Sequence, residues 1–363
     1  MKVLIAGGGT GGHLFPGIAI AETFLAQDPE NQVHFVSTRR AIDQQVLPFR
    51  GFPSQTIEAE GIKGRGLSGQ LKALFKLPGA LKQSCRILRE FQPHLIIGVG
   101  GYVSGPVVLA GRLKGIPTAI QEQNSIPGLT NRILALLVDR IYYSFEKSGE
   151  YFPARKSLWT GNPVRQELKR VREEPSTPQA SLTVLVLGGS QGSHRLNQLV
   201  TEALDFLGEL KKDLSFIHQT GTKDEDWVRQ AYLKKGFQHQ VQAFISDMIW
   251  AYSQADMLIC RSGATTLAEV TALGKASLLI PFPFATSNHQ EENARSLVQR
   301  GAAEMIPEKE LTGAGLAAVI QKWRNDPRHR ADLAARAKTL GRWQAAEEIV
   351  ENCTQLVRKG RWN

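Results

Sequence analysis

Residues 3–13 read VLIAGGGTGGH, and residues 184–194 read VLVLGGSQGSH. The two stretches align without gaps and share Val, Leu, three glycines and a terminal His. Each is a short apolar run that meets a glycine cluster and then a helical pattern. An apolar run bounded in that way reads as a buried strand. The glycines allow a tight strand-to-helix turn and let the backbone come close to a ligand. Each stretch therefore reads as the first βα unit of a doubly wound parallel sheet, and the repeat predicts two such sheets in tandem.

Working outward, residues 33–36 (VHFV), 95–99 (LIIGV), 118–120 (TAI) and 257–260 (MLIC) read as further strands alternating with helical stretches. Alternation of this kind predicts an α/β protein with parallel sheets. A length of 363 residues suits two domains. The expected division is residues 1–163 for the first Rossmann-like domain, 164–340 for the second, and 341–363 for a last helix with no following strand, free to pack back on the first domain. The polar, proline-bearing stretch EEPSTP at 173–178 reads as linker, and the turn GNPVR at 161–165 as a second hinge candidate.

The three cysteines, Cys85, Cys260 and Cys353, form no CxxC spacing, which argues against a disulfide framework or a zinc site. Glycines and Pro106 interrupt the longest apolar stretch, residues 95–111, so no membrane span is expected. The formal net charge of +10 asks for an anionic partner without choosing one.

The glycine loop at 7–12 lacks the GK[ST] ending of a nucleotide-hydrolysing loop. The second strand ends in Ser37-Thr38-Arg39-Arg40 where a dinucleotide-binding domain would carry an acid. His13 follows the loop directly, and an imidazole there suits deprotonation of a hydroxyl near neutral pH, or else caps and packs locally. Gly188-Gly189-Ser190-Gln191-Gly192 repeats the anion-binding logic, with Ser190 adding a hydroxyl donor. Arg261-Ser262-Gly263-Ala264-Thr265-Thr266-Leu267-Ala268-Glu269 opens another helix on small residues. Glu269 sits where it can take ribose hydroxyls or complement the helix dipole. Residues 287–294 (SNHQEENA) gather amides and a His suited to sugar hydroxyls or to helix capping. The acids Asp224-Glu225-Asp226 read as a solvated loop rather than a metal site, so no metal is expected and leaving-group charge falls to helix N-termini and arginine.

Taken together, GGGTGGHLFPGIAIAE at 7–22, GVGGYVSGP at 98–106, QEQNSIPGLTNR at 121–132, GNPVR at 161–165, GGSQG at 188–192, RSGATTLAE at 261–269 and HQEENA at 289–294 resemble the bacterial peptidoglycan N-acetylglucosaminyltransferases, members of the two-Rossmann-domain (GT-B) family. The resemblance spans nearly the whole chain. It implies two domains facing a central cleft, no cofactor, and inverting transfer of N-acetylglucosamine from UDP-GlcNAc to the muramyl 4-hydroxyl of an undecaprenyl-pyrophosphoryl muramyl-pentapeptide.

By that likeness Ser190 and Arg165 would meet the donor diphosphate, with Ala264, Thr265, Thr266 and Leu267 lining it. Ile245 would meet uracil, Glu269 the ribose, and Gln290 and Asn293 the GlcNAc hydroxyls. Thr10, Gly11, Gly12 and Asn124 would reach the sugar from the first domain. His13 is the implied general base with Glu122 its rival, and Gly100, Gly101 and Tyr102 would bind the acceptor pyrophosphate. Gln121 stands where relatives commonly have histidine.

Residues 61–90 carry seven basic residues and one acid, interleaved with leucines. A basic amphipathic segment can lie on an anionic leaflet. Leu71, Lys72, Leu74, Phe75, Lys76, Leu81 and Lys82 are the expected membrane contacts, which places the protein peripherally on the cytoplasmic face of the plasma membrane, with room for other cell-wall synthesis proteins as partners. The rival readings are a soluble UDP-sugar glycosyltransferase, a UDP-GlcNAc 2-epimerase and a basic nucleic-acid-binding protein. The last is disfavoured because leucines, not stacking aromatics, accompany the charge.

Overall fold

The computed structural model describes residues 1–59, 67–173 and 181–360, with the side chains at 67–76, 172–173 and 360 outside the described set. The proposed linker at 174–178 and the start of the basic segment at 61–66 lie outside the described residues. The chain divides into two compact units, Met1–Arg165 with Arg342–Asn363, and Gln166–Gly341.

The first unit is built on seven strands: β1 (Lys2–Ala6), β2 (Gln32–Ser37), β3 (Ser54–Thr56), β4 (Leu95–Gly98), β5 (Thr118–Glu122), β6 (Arg140–Tyr143) and β7 (Ser157–Trp159). They pair in parallel in the order β3-β2-β1-β4-β5-β6-β7. Ile5 of β1 sits opposite Phe35 of β2 and Ile97 of β4. The central strands are continuous apolar runs because helices cover both of their faces. One face carries Leu14, Ile18 and Phe24 of the helix Gly11–Gln27, together with Ile349, Val350, Cys353 and Val357 of the last helix, Ala345–Gly360. Tyr142 Oη donates to Asn352 Oδ1 at 2.9 Å, so the last helix is also hydrogen-bonded to β6. The opposite face carries Ala80, Ile87 and Leu88 of the helix Leu67–Phe91, and Val107, Val108 and Ala110 of the helix Ser104–Leu113.

The second unit repeats the plan with β8 (Leu182–Leu187), β9 (Leu214–Gln219), β10 (Gln238–Gln242), β11 (Met257–Cys260), β12 (Ser277–Leu279) and β13 (Glu304–Met305). Their order, β10-β9-β8-β11-β12-β13, is that of the first six strands of the other sheet. In such sheets the strand order reverses beside the first strand, and the loops leaving the strand ends there part to form a crevice. Those ends belong to β1 and β4 in one unit, and to β8 and β11 in the other. Four of the glycine-bearing motifs, those at 7–12, 98–106, 188–192 and 261–269, lie at these strand ends.

Candidate active site

In the first unit the loop after β1 leads into the helix Gly11–Gln27, whose N-cap Thr10 makes no side-chain cap bond. The loop is backed by Asp43, which is 0% exposed. The Asp43 carboxylate accepts from Gly9 N at 2.8 Å and Thr38 N at 3.0 Å, and from the Thr38 hydroxyl. Arg40 Nη1 donates to Gly9 O at 3.0 Å. A buried carboxylate directly behind Gly8 and Gly9 makes this loop a poor place for a diphosphate. Thr10 and Gly12 are exposed and Gly11 is buried.

The loop after β4 crosses beside it. Ser104 Oγ lies 2.8 Å from Ala6 O and 2.7 Å from Gly100 O, which locks the two loops together. Gly100 has φ +94°, and a Cβ there would stand 2.5 Å from His13 Nδ1. Glycine is therefore what lets the imidazole lie against this backbone. His13 is half-buried, and its Nδ1 is 3.1 Å from Gln123 Oε1. Gly101 and the exposed Tyr102 follow on the same turn.

Glu122 ends β5 and is 2% exposed. Its Oε1 accepts from Asn124 N at 2.9 Å and Asn124 Nδ2 at 3.3 Å; its Oε2 accepts from Gly128 N at 3.1 Å and Asn131 Nδ2 at 2.9 Å. Both oxygens are thus engaged in shaping the loop 123–128. Arg165 is buried, with its guanidinium 4.9 Å from the Phe15 ring centroid, and it belongs to the first unit.

In the second unit the helix His194–Ala203 has N-cap Ser193 with no side-chain cap bond, and the helix Ala264–Leu273 has Gly263 as N-cap, which carries no capping side chain. Uncapped helix starts present backbone N–H groups and a partial positive charge to an anion. Among the described residues the amides of Ser190 and Gln191 have no hydrogen-bond partner. Gly192 has φ +74°, and a Cβ there would fall 1.9 Å from Thr220 O, so the loop can pass the end of β9 only as glycine.

Arg261 binds the surrounding loops into one surface. Its Nη1 donates to Ile280 O at 3.0 Å and Pro281 O at 3.1 Å, its Nη2 to Ser193 Oγ at 2.6 Å, and it pairs with Glu308. Gln219 likewise joins Gly189 O at 2.8 Å to the amide of Ile245 at 2.9 Å. Glu269 is buried, and its Oε2 accepts from Tyr252 Oη at 2.8 Å. Leu267 and Ala264 are buried, while Thr265 and Thr266 are half-buried on the helix start. Gln290 is half-buried, its Oε1 accepting from Phe282 N at 2.9 Å.

Several residues sit differently from the sequence expectation. Asn293 is 0% exposed, and its Nδ2 donates to Ser262 O at 3.3 Å, so it braces the turn before the helix instead of facing an open sugar pocket. The Ile245 side chain is in the core, so what it offers a ligand is backbone. Asp224 is not solvated: it is buried and accepts from Asn197 Nδ2 at 2.8 Å and pairs with His194 Nδ1 at 2.9 Å. Burial alone would raise its pKa, but hydrogen bonds from Trp227, Asn197 and His194 outweigh that and hold it below the ordinary carboxylate range. Leu81 packs against the core beneath the helix Leu67–Phe91 rather than facing outward, while Lys82 is exposed. The side chains of Leu71, Lys72, Leu74, Phe75 and Lys76 lie outside the described residues.

Asp43, Gln123, Gln219 and Arg261 escaped the sequence reading. Their partners lie between 2 and 110 residues away along the chain, most of them brought near only by folding, so no local spacing announces these roles. No group of three or more His, Cys, Asp or Glu among the described residues has metal-site geometry.

The glycosyltransferase family 28 N-terminal domain matches residues 3–143, and its C-terminal domain matches residues 183–349. A UDP-N-acetylglucosamine--N-acetylmuramyl-(pentapeptide) pyrophosphoryl-undecaprenol N-acetylglucosamine transferase from Syntrophus aciditrophicus is 51% identical over 99% of both chains. The enzyme of the same name from Myxococcus xanthus is 49% identical over 98% of this chain and 93% of its own. Among solved structures, MurG of Acinetobacter baumannii superposes with a TM-score of 0.76 at 30% identity, covering 98% of this chain and 99% of that one. A UDP-GlcNAc 2-epimerase from Neisseria meningitidis bound to UDP-GlcNAc has a TM-score of 0.70 at 15% identity over 98% of this chain and 100% of its own, a likeness of fold alone.

Proposed function

The chain belongs to glycosyltransferase family 28, and from that membership we propose that it transfers N-acetylglucosamine from UDP-GlcNAc to the muramyl 4-hydroxyl of undecaprenyl-pyrophosphoryl muramyl-pentapeptide, in peptidoglycan synthesis. The observation that carries the assignment of roles is the contrast between the two glycine loops. In the second unit two uncapped helix starts meet the open amides of Ser190 and Gln191, whereas in the first unit a buried carboxylate already holds Gly9. A nucleoside diphosphate therefore belongs on the second unit. There the amides around Ser190 and residues 264–267 hold the phosphates, Glu269 takes the ribose, the Ile245 backbone meets the base, and Gln290 the sugar.

The first unit supplies the acceptor side. His13 takes the proton of the muramyl hydroxyl as its oxygen attacks the anomeric carbon. The bond from that carbon to the β-phosphate oxygen breaks with its electron pair leaving on UDP, and the α donor gives a β(1→4) product. Backbone N–H groups stabilise the departing diphosphate as charge develops on it. His13 is the base rather than Glu122, because both Glu122 oxygens already serve the loop 123–128. Glu122 and Asn124 shape that loop, Gly100, Gly101 and Tyr102 line the acceptor pyrophosphate, and Thr10, Gly11, Gly12 and Arg165 border the transferred sugar.

The lipid-linked acceptor requires contact with a membrane. No helix among the described residues is long and apolar enough to cross one. The first unit instead exposes Leu136 (75%), Leu113 (71%) and Ile133, with the basic side chains of Arg112, Arg132 and Lys156 in the same neighbourhood. Arg112 pairs with Asp139 at 3.3 Å, and Lys156 Nζ donates to Val138 O at 2.9 Å, which draws this cluster together on the sheet face that also carries the helix Leu67–Phe91. Apolar side chains ringed by cations suit peripheral docking on an anionic leaflet, here the cytoplasmic one.

The purified chain, incubated with labelled UDP-GlcNAc and a short-chain lipid-linked muramyl-pentapeptide without added metal, is expected to move label into the lipid phase as a β(1→4) disaccharide. Label that stays in the nucleotide sugar, or turns up as its 2-epimer, would contradict the assignment.

A further inference from the structure

We propose that Gln123 sets the tautomer of His13, holding the ring proton on Nδ1 so that Nε2 is the basic nitrogen. The proposal deepens, and for its catalytic meaning rests on, the reading of His13 as the general base.

Gln123 follows β5 and is 1% exposed. Its Nε2 donates to Val99 O at 2.8 Å, and its Oε1 lies 3.1 Å from His13 Nδ1. A backbone carbonyl only accepts, so the amide nitrogen must face Val99 and the amide oxygen must face the imidazole; a flipped amide would set two oxygens against each other. The same nitrogen also donates to the side-chain oxygen of Gln121. Gln121 is oriented in turn, because its Nε2 donates to Ser144 Oγ at 3.1 Å and Asn162 Oδ1 at 3.0 Å. A run of buried amides thus reaches from Asn162 to His13, and each link orients the next.

An amide oxygen can only accept, so His13 Nδ1 must carry the hydrogen. A neutral imidazole has one N–H, which leaves the lone pair on Nε2. Gly100 packs against the ring beside Nδ1 and keeps it in place. When the acceptor hydroxyl is deprotonated, its proton goes to Nε2, and the resulting imidazolium keeps the Nδ1–H bond to Gln123. Charged and titratable groups on the surrounding elements are Glu122, engaged by the loop 123–128, Asp43 behind Gly8 and Gly9, Arg165 over the Phe15 ring, and the Tyr102 phenol. The hydrogen-bond partner of the His13 ring is the Gln123 amide and none of these groups.

The test uses the full chain labelled with ¹⁵N-histidine. Long-range proton–nitrogen spectra of the neutral imidazoles report which nitrogen carries hydrogen, and His13→Ala identifies the His13 signal among the eight histidines. The expected wild-type signal is the Nδ1–H form. Gln123→Leu should shift it toward Nε2–H and lower the transfer rate by about 10- to 100-fold, the usual size of losing an orienting partner, with KM for UDP-GlcNAc little changed. Gln123→Glu should keep the Nδ1–H form and move the low-pH limb of kcat to higher pH, because a carboxylate stabilises the imidazolium. Should Gln123→Leu fail to fold, the wild-type spectrum and Gln123→Glu decide the matter. A wild-type proton on Nε2, or a tautomer indifferent to Gln123→Leu, would overturn the proposal. Full transfer by His13→Ala would overturn the catalytic reading and leave the tautomer assignment standing.

Discussion

Glu122 and Glu269 are both buried carboxylates beside strand ends, and their neighbours give them different work. Four donors from residues 124–131 hold Glu122, whereas Glu269 accepts from Tyr252 Oη and lies on the helix Ala264–Leu273. Glu269→Gln should raise KM for UDP-GlcNAc by about 10- to 100-fold, the size of a charge-assisted hydrogen bond, and lower kcat much less; steady-state kinetics will separate the two. His218 gives a second prediction. It is wholly buried, with Nε2 donating to Asn197 Oδ1 and Nδ1 accepting from Tyr232 Oη, and burial lowers its pKa to about 3. The unfolded chain then binds a proton that the folded chain refuses between about pH 6.5 and 3, so this group makes stability fall as pH drops through that window, by about 1 kcal/mol per pH unit. Denaturant midpoints should decline from pH 7 to pH 5 while the His218 ring signals in the folded protein stay constant. His13 and Glu269 were legible in the sequence because each follows a glycine motif at a strand end. Asp43, Gln123 and Arg261 were not, because a residue that orients another is defined by partners brought near only by folding.

The four glycine-bearing loops were legible as elements, since an apolar run, a glycine turn and a helix pattern already specify a strand end. Short strands such as β3 and β7, three residues each, were not, because their pairing depends on the neighbouring strand rather than on their own apolar content. The placement of the last helix was equally hidden: the apolar stripe Ile349, Val350, Cys353 and Val357 shows a buried face but not what covers it. Gly192 tests the loop at this scale. Gly192→Ala combines a left-handed backbone with a Cβ placed against Thr220 O, whereas Gly189→Ala, at φ +93°, meets nothing within 4 Å. Backbone strain of this kind costs on the order of 1–3 kcal/mol. Gly189→Ala should lose about that much, and Gly192→Ala more, together with UDP affinity; calorimetric melts and UDP titrations will rank the two variants.

For the molecule as a whole, the net charge of +10 named an anionic partner without locating it. The exposed leucines beside Arg112 and Lys156 came from folding, because Leu113 and Leu136 belong to different segments. Changing both to Asp should reduce sedimentation with anionic vesicles, and high salt should weaken the wild-type association as it screens the basic residues. The account rests on a division of labour in which one unit binds the nucleotide and the other supplies the base. The most direct test is His13→Ala, with turnover measured on the lipid-linked acceptor and UDP-GlcNAc affinity measured by calorimetry on the same preparation. The account predicts turnover lower by roughly 10²–10⁴ with donor affinity unchanged; undiminished turnover, or a loss of donor binding that matches the loss of rate, would contradict it.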